Sequence, residues 1–324
     1  MAAVWSRMSG VAQPWIAPDT PAEPHRSPQV RLDVAKQRRA VGPLGGSPVE
    51  RLQPRGVGAI LDGGFEVLRF RFPLIAALTV TLVAPLMGVP LLVRNLRVQD
   101  RLEDMSSVNF NLGFGPATPG EGATWALEQL GGGLALALVG VAIGHLVAAW
   151  LRGEDPGYRD VMKLVLRRGP VAAAAWVMAL IPKSLGVLAC GVGVLFTVSM
   201  FVVLSPLVAN EAVGPFAAVG RCFKLSSGRR ATAMVGFVVC GLCVKVAFGL
   251  VGMLVATILE SQVLQRPTWG WIAMSAVELG FALLLIPVQA GWASLAYLDL
   301  RVRSEGLDIV LESERLFPGT ANAR

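Results

Sequence analysis

The chain has 324 residues, 54% hydrophobic and 16% charged, with a mean hydropathy of +0.59. A soluble domain carries about 25% charged residues, and the shortfall here falls in long uncharged runs, which excludes water as the solvent for most of the chain. The net charge of +7 sits beside those runs with no aromatic-interleaved basic patch, so the expected partners are membrane lipids, anionic headgroups included, and not nucleic acid.

Residues 1–54 are rich in Pro, Ala and Arg without apolar periodicity, and are expected to form a disordered cytoplasmic tail with no signal-peptide core. The stretch GAILDGGFEVLRFRFP, residues 58–73, then puts Ile60, Leu61, Phe65 and Leu68 on one helical face and ends in Arg69 and Arg71. A first apolar span follows at about 73–93, with Pro85 and Pro90 expected to bend it. The loop 94–128 is mixed in charge and turn-rich, and reads as a connector. A second span covers about 129–150 and contains GVAIG, a G-x-x-x-G from Gly140 to Gly144 that allows close helix approach.

A second amphipathic stretch, GYRDVMKLVLRRG, groups Val161, Met162, Val165 and Leu166 before Arg167 and Arg168. From Pro170 to Asn210 the one charge is Lys183, which suits two spans, 170–188 and 191–210, with a tight turn near Gly186 to Gly193. A third amphipathic stretch, GPFAAVGRCFKLSSGRR, brings Phe216, Val219, Phe223 and Leu225 close to one face before Arg229 and Arg230. Spans at about 232–258 and 273–298 follow, and 312–324 reads as a flexible tail. Six runs of this length each match the ~20 residues a crossing needs.

Basic residues set the orientation. Of the 29 Lys and Arg, 23 fall in the N-terminal region, the segments after the second and fourth spans and the C-terminal tail, against 4 in the opposite loops. The expectation is an all-α integral membrane protein with six transmembrane helices, three amphipathic interfacial helices and both termini cytoplasmic. A half-apolar helix too short to span a bilayer lies in the headgroup plane, its arginines in water or on phosphate. The three stretches thus suggest one module of interfacial helix plus hairpin used three times.

Three segments, RGVGAILDGGFEVLRFRF, SPLVANEAVGPFAAVGRCFKLSSGRR and AYLDLRVRSEGLDI, resemble the membrane domain found N-terminal to some bacterial glycerophosphoryl diester phosphodiesterases and also found alone, notably in actinobacteria. The likeness covers about residues 54–311. It implies a six-helix integral membrane domain. It does not imply phosphodiesterase activity, which belongs to a separate soluble barrel that no stretch of these residues is left to build.

Ionisable groups inside apolar helices cost roughly 2.5–3.5 kcal/mol each at a helix centre and so suggest a function or a partner. His145, Lys245 and Glu278 form the candidate intramembrane polar site, with Glu278 a possible counterion for Lys245; Lys183 is placed to snorkel. A second candidate set is a cytoplasmic interface network of Asp62, Arg69, Arg71, Arg167, Arg168, Glu211, Arg221, Arg229, Arg230, Asp299, Arg301 and Arg303, in which Glu211 caps the third amphipathic helix or pairs with Arg221.

No H-E-x-x-H, Walker A or G-x-S-x-G motif occurs. The C-x-x-C of Cys240 and Cys243 lies inside an apolar run without a second pair. No catalytic residue, metal or cofactor is expected. The resulting expectation is a non-catalytic multi-pass inner-membrane protein, a scaffold or accessory to an envelope or lipid-related system, with a membrane-protein partner or a second copy of itself. The alternative is a small-substrate transporter or channel with a midplane polar site.

Overall fold

The computed structural model describes residues 56–102, 119–188, 192–227, 230–263, 270–307 and 309. The stretch 1–54, the centre of the 94–128 loop and the tail 312–324 lie outside the described residues. Among the described residues the chain is helical, without strands: α1 (Val57–Phe70), α2 (Phe72–Leu102), α3 (Pro119–Leu151), α4 (Tyr158–Leu188), α5 (Val192–Phe201), α6 (Leu204–Asn210), α7 (Pro215–Ser226), α8 (Arg230–Val263) and α9 (Gly270–Glu305). Five of these are long and apolar enough to cross a membrane, over Phe72–Val93, Ala126–Leu151, Tyr158–Gly186, Met234–Gly252 and Ser275–Glu305. They are compatible with a helical multi-pass membrane protein.

Helix α3 is the centre of the bundle, 72% of its apolar window being buried against 12% for α8, which sits at the periphery. α3 packs on α2, α4, α6 and α9; α1 lies across α9; α7 packs on α4, α5 and α6. The core contains Val67, Ile75, Leu78, Ile143, Leu146, Trp150, Leu207, Leu295 and Tyr297.

Prolines decide where several helices break. A proline offers no amide hydrogen, and its ring crowds the carbonyl four residues earlier. Pro73 does this to Arg69, so α1 stops at Phe70 and Arg71 leaves helical geometry (φ −135°, ψ 50°). Pro206 does it to Val202, and the predicted span 191–210 is not one helix but two, α5 and α6, parted by a turn at 202–203. The carbonyl of Met200 beside that break accepts hydrogen bonds from Cys222 Sγ (3.0 Å) and Ser226 Oγ (3.2 Å) of α7.

The second amphipathic stretch differs from expectation. It is not a separate helix: α4 runs without interruption from Tyr158 through Pro170 and Pro182 to Leu188. A proline's fixed φ is itself compatible with helix, and Gly169 and Pro170 both stay within α4. The stretches at α1 and α7 do form short separate helices, each entered from an extended glycine, Gly56 and Gly214. Both helices flanking the 94–128 loop reach beyond the predicted spans, α2 to Leu102 and α3 back to Pro119, because loss of apolarity there is not loss of helical propensity.

Helix α3 ends in a left-handed Gly153 (φ 78°), with Glu154 N bonding Ala149 O (2.9 Å) and Gly153 N bonding Trp150 O (3.1 Å), the paired bonds of a Schellman cap. Hydroxyls inside the apolar helices bond back into their own helix: Thr79 to Ile75, Ser184 to Leu180 and Ser294 to Ala290.

Gly140 and Gly144 face α6 as the G-x-x-x-G predicts. A Cβ on Gly144 would lie 2.7 Å from Pro206 Cα, and one on Gly140 2.6 Å from Ser205 Cβ. Asn210 Nδ2 secures the same contact by donating to Gly144 O (3.2 Å) and Pro206 O (2.8 Å). Gly144→Ala is therefore expected to destabilise the bundle by about 1–3 kcal/mol through overpacking against backbone. Gly236→Ala, with nothing within 4 Å of its Cβ, should stay within about 0.5 kcal/mol. Thermal denaturation of the two variants in detergent checks the contrast.

Candidate functional site

At the exit of α6 the polar side chains form a closed ring. Tyr297 OH donates to Glu211 Oε1 (3.1 Å), Arg221 Nε donates to Glu211 Oε2 (3.2 Å), and Arg221 Nη2 pairs with Glu305 Oε1. Arg301 Nε donates to Glu305 Oε2 (2.8 Å), and Arg301 Nη1 lies 3.5 Å from Tyr297 OH, closing the circle. Glu211 is brought in by the end of α6, where its own N–H bonds Leu207 O (2.8 Å). Arg221 comes from α7, and Tyr297, Arg301 and Glu305 stand one turn apart on α9.

The ring holds two cations and two anions. Its charged side chains are 17–31% exposed, so screening by water is partial and each bond outweighs an open surface pair. Dehydration alone would lower the pKa of Arg221, but the hydrogen bond and charge of Glu211, with Glu305, outweigh it and hold the guanidinium above its ordinary value.

The predicted network is only partly assembled. Glu211, Arg221 and Arg301 meet in the ring. Asp299 and Arg303 pair beside it along α9 (2.7 Å). Arg71 pairs instead with Asp155 of the α3–α4 turn, its guanidinium 5.9 Å from the Phe70 ring, while Phe70 meets buried Trp150 edge-to-face at 4.9 Å. Asp62, Arg69 and Arg167 are exposed and Arg168 half-buried, none with an ion pair among the described residues. Arg229 and the side chain of Arg230 lie outside them. Sequence reasoning missed Asp155, Tyr297 and Glu305. The i, i+4 spacing of Tyr297, Arg301 and Glu305 was a visible signal; the 84-residue separations of Asp155 from Arg71 and of Glu305 from Arg221 left none.

The candidate intramembrane residues come from three helices. His145 is half-buried on α3, Glu278 half-buried on α9 and held in a polar interaction, and Lys245 lies on α8 with its side chain outside the described residues. Neither His145 nor Glu278 lines the cavity between the apolar helices. That cavity, about 300 Å³, is bounded by α3, α4, α5, α6, α8 and α9. Its wall is mainly apolar, with Trp176, Phe237 and Trp292 prominent, and carries three polar side chains, Lys183, Ser205 and Gln289. None of the three makes a hydrogen bond or ion pair with another described residue. Trp292 is satisfied by donating to Leu61 O (2.7 Å), an approach open because Gly64 has no side chain. No family model, curated protein or solved structure matches the chain.

Two outcomes follow. Glu211→Ala removes the acceptor of both Tyr297 and Arg221 and is expected to cost about 2–3 kcal/mol, whereas Arg69→Ala should cost under about 0.5 kcal/mol, measured by unfolding titration in mixed micelles. Cys222 is fully buried, and burial pushes its thiol up to about 12, with the Lys183 ammonium opposing and Glu211 adding to the rise. The reactive thiolate is therefore scarce at neutral pH. Cys222 should resist maleimide in the folded protein and label on unfolding, as read by peptide mass spectrometry.

Proposed function

We propose that the chain is a non-catalytic multi-pass protein of a bacterial cytoplasmic membrane, crossing it six times with both termini inside, and that it serves as a scaffold or accessory to an envelope or lipid-related system. α5 and α6 together take in residues Val192 to Asn210, close to the ~20 residues a crossing needs. A broken crossing is tolerable in lipid when protein groups satisfy the freed backbone, and Cys222 and Ser226 supply donors there. With this sixth crossing counted, the basic segments fall on one side, as the positive-inside bias requires. The likeness of three segments to the phosphodiesterase membrane domain supports the lipid-related setting.

The observation that carries the scaffold reading is the division of labour among the charges. The ring residues spend their polarity on each other. Arg69, Arg159, Lys163 and Arg167 remain exposed, with exposed Leu166 next to Arg167 on α4 and exposed Phe72 shortly after Arg69 at the start of α2. Unpaired cations among exposed apolar side chains suit anionic headgroups or an acidic partner surface. A transport role using a midplane site of His145, Lys245 and Glu278 is the second reading, and the cavity at Lys183 is what favours a protein that carries a ligand.

The topology is tested with single cysteines at 163 and 167 in a cysteine-free background. An impermeant maleimide should leave them unlabelled in intact cells and label them in inverted vesicles; labelling from outside rejects the orientation. For the scaffold role, crosslinking in native membranes should enrich a specific protein, and the combined Arg167→Ala, Arg168→Ala variant should lower that enrichment. Recovery of the chain as a lone species argues against a scaffold.

A further inference from the structure

We propose that the cavity bounded by α3, α4, α5, α6, α8 and α9 binds an anionic amphiphile, a single apolar chain with a carboxylate, phosphate or sulfonate head, the head on Lys183 and the chain along the apolar wall. The first argument is charge. Among the described residues, Lys183 is the one formally charged residue lining the cavity, no carboxylate lines it, and Lys183 has no ion pair. A cation in an apolar surrounding calls for a counterion, and here no described residue provides one. The second is hydrogen bonding. Ser205 and Gln289 also open onto the cavity without a partner among the described residues; a hydroxyl and an amide are suitable donors to the oxygens of such a head.

The third argument is shape. The remaining wall, including Leu136, Phe201, Phe237 and Leu242, is hydrocarbon, which would not hold ordered water well but matches an acyl chain. About 300 Å³ is at the low end of ligand pockets, ~300–1,000 Å³, and suits one chain rather than two. The lining also depends on glycine. A Cβ on Gly133 would lie 2.2 Å from Trp176 Cζ2, and one on Gly140 2.6 Å from Ser205 Cβ, so both glycines leave room for the residues that face the cavity. The proposal rests on the chain's being membrane-embedded but not on its orientation or on the scaffold role.

The test uses the full chain purified in a neutral detergent. Trp176 and Trp292 line the cavity, so dibrominated stearate should quench tryptophan fluorescence saturably. An unbrominated long-chain sulfonate should relieve the quenching, and a trimethylammonium amphiphile of equal length should not. Trp176→Phe should remove part of the quenched signal. Lys183→Gln should weaken binding about tenfold or more, and Lys183→Arg should retain it. The same Lys183 dependence with brominated phosphatidylglycerol assigns the head to a bilayer lipid, and quenching by stearate alone assigns it to a free amphiphile. Equal quenching by brominated phosphatidylcholine, indifferent to Lys183, overturns the proposal, as does equal competition by the sulfonate and the trimethylammonium. Should Lys183→Gln fail to fold, that wild-type competition decides alone. Quenching on the isolated chain is independent of partner capture and of cysteine labelling, so its failure is distinguishable from failure of the scaffold reading.

Discussion

A proline cannot return a hydrogen bond to the carbonyl four residues before it, and in an apolar surrounding a freed backbone group must be satisfied from within the protein. Pro206 sets this requirement at Val202, and the turn there leaves the Met200 carbonyl at the end of α5 beside the break. The turn at 202–203 parts α5 from α6, and α7 lies against the break with Cys222 and Ser226 both on the Met200 carbonyl. That seat for α7 carries Arg221 to Glu211, and from there the charge ring reaches α9 through Tyr297 and Glu305. The break before α6 is thus covered by α7, the third amphipathic stretch of the chain.

Close approach of helices does the rest of the assembly. Between apolar helices in lipid, association rests on van der Waals contact and interhelical hydrogen bonds, because the surrounding tails are as apolar as the side chains they would replace. The glycines are used accordingly. Gly64 admits the indole of Trp292, whose N–H then reaches Leu61 O across the α1–α9 contact; Gly140 and Gly144 admit α6; Gly133 admits Trp176. The same absences of side chain that bring helices together also leave room for the aromatic wall of the cavity.

Charge is partitioned by neighbourhood. Where carboxylates are brought in by the turns after α3 and α6 and by the end of α9, arginines are spent on them: Arg71 on Asp155, Arg221 on Glu211 and Glu305. Where no carboxylate arrives, as at Arg69 and Arg167, the guanidinium stays in contact with solvent. Lys183 is the exception to both outcomes, an unpaired cation lining an apolar cavity.

Helicity, the presence of long apolar helices and the positions of most of them were legible in the sequence because they depend on local quantities: hydropathy over twenty residues, the 3.6-residue period and the identity of neighbours. The amphipathic α1 and α7, the glycine pair of α3 and the pairing of Glu211 with Arg221 ten residues on are of this kind. The continuity of α4 through Pro170 and the division of the run from 191 to 210 were not, since a proline either bends, breaks or sits inside a helix according to what packs beside it. Which charges meet was decided by tertiary structure alone. Arg71 and Asp155, or Arg221 and Glu305, are neighbours only because helices from distant parts of the chain pack together, and Lys183 and Gln289 open onto one cavity for the same reason. A sequence records the charge of each residue, but the distance between two of them belongs to the packing.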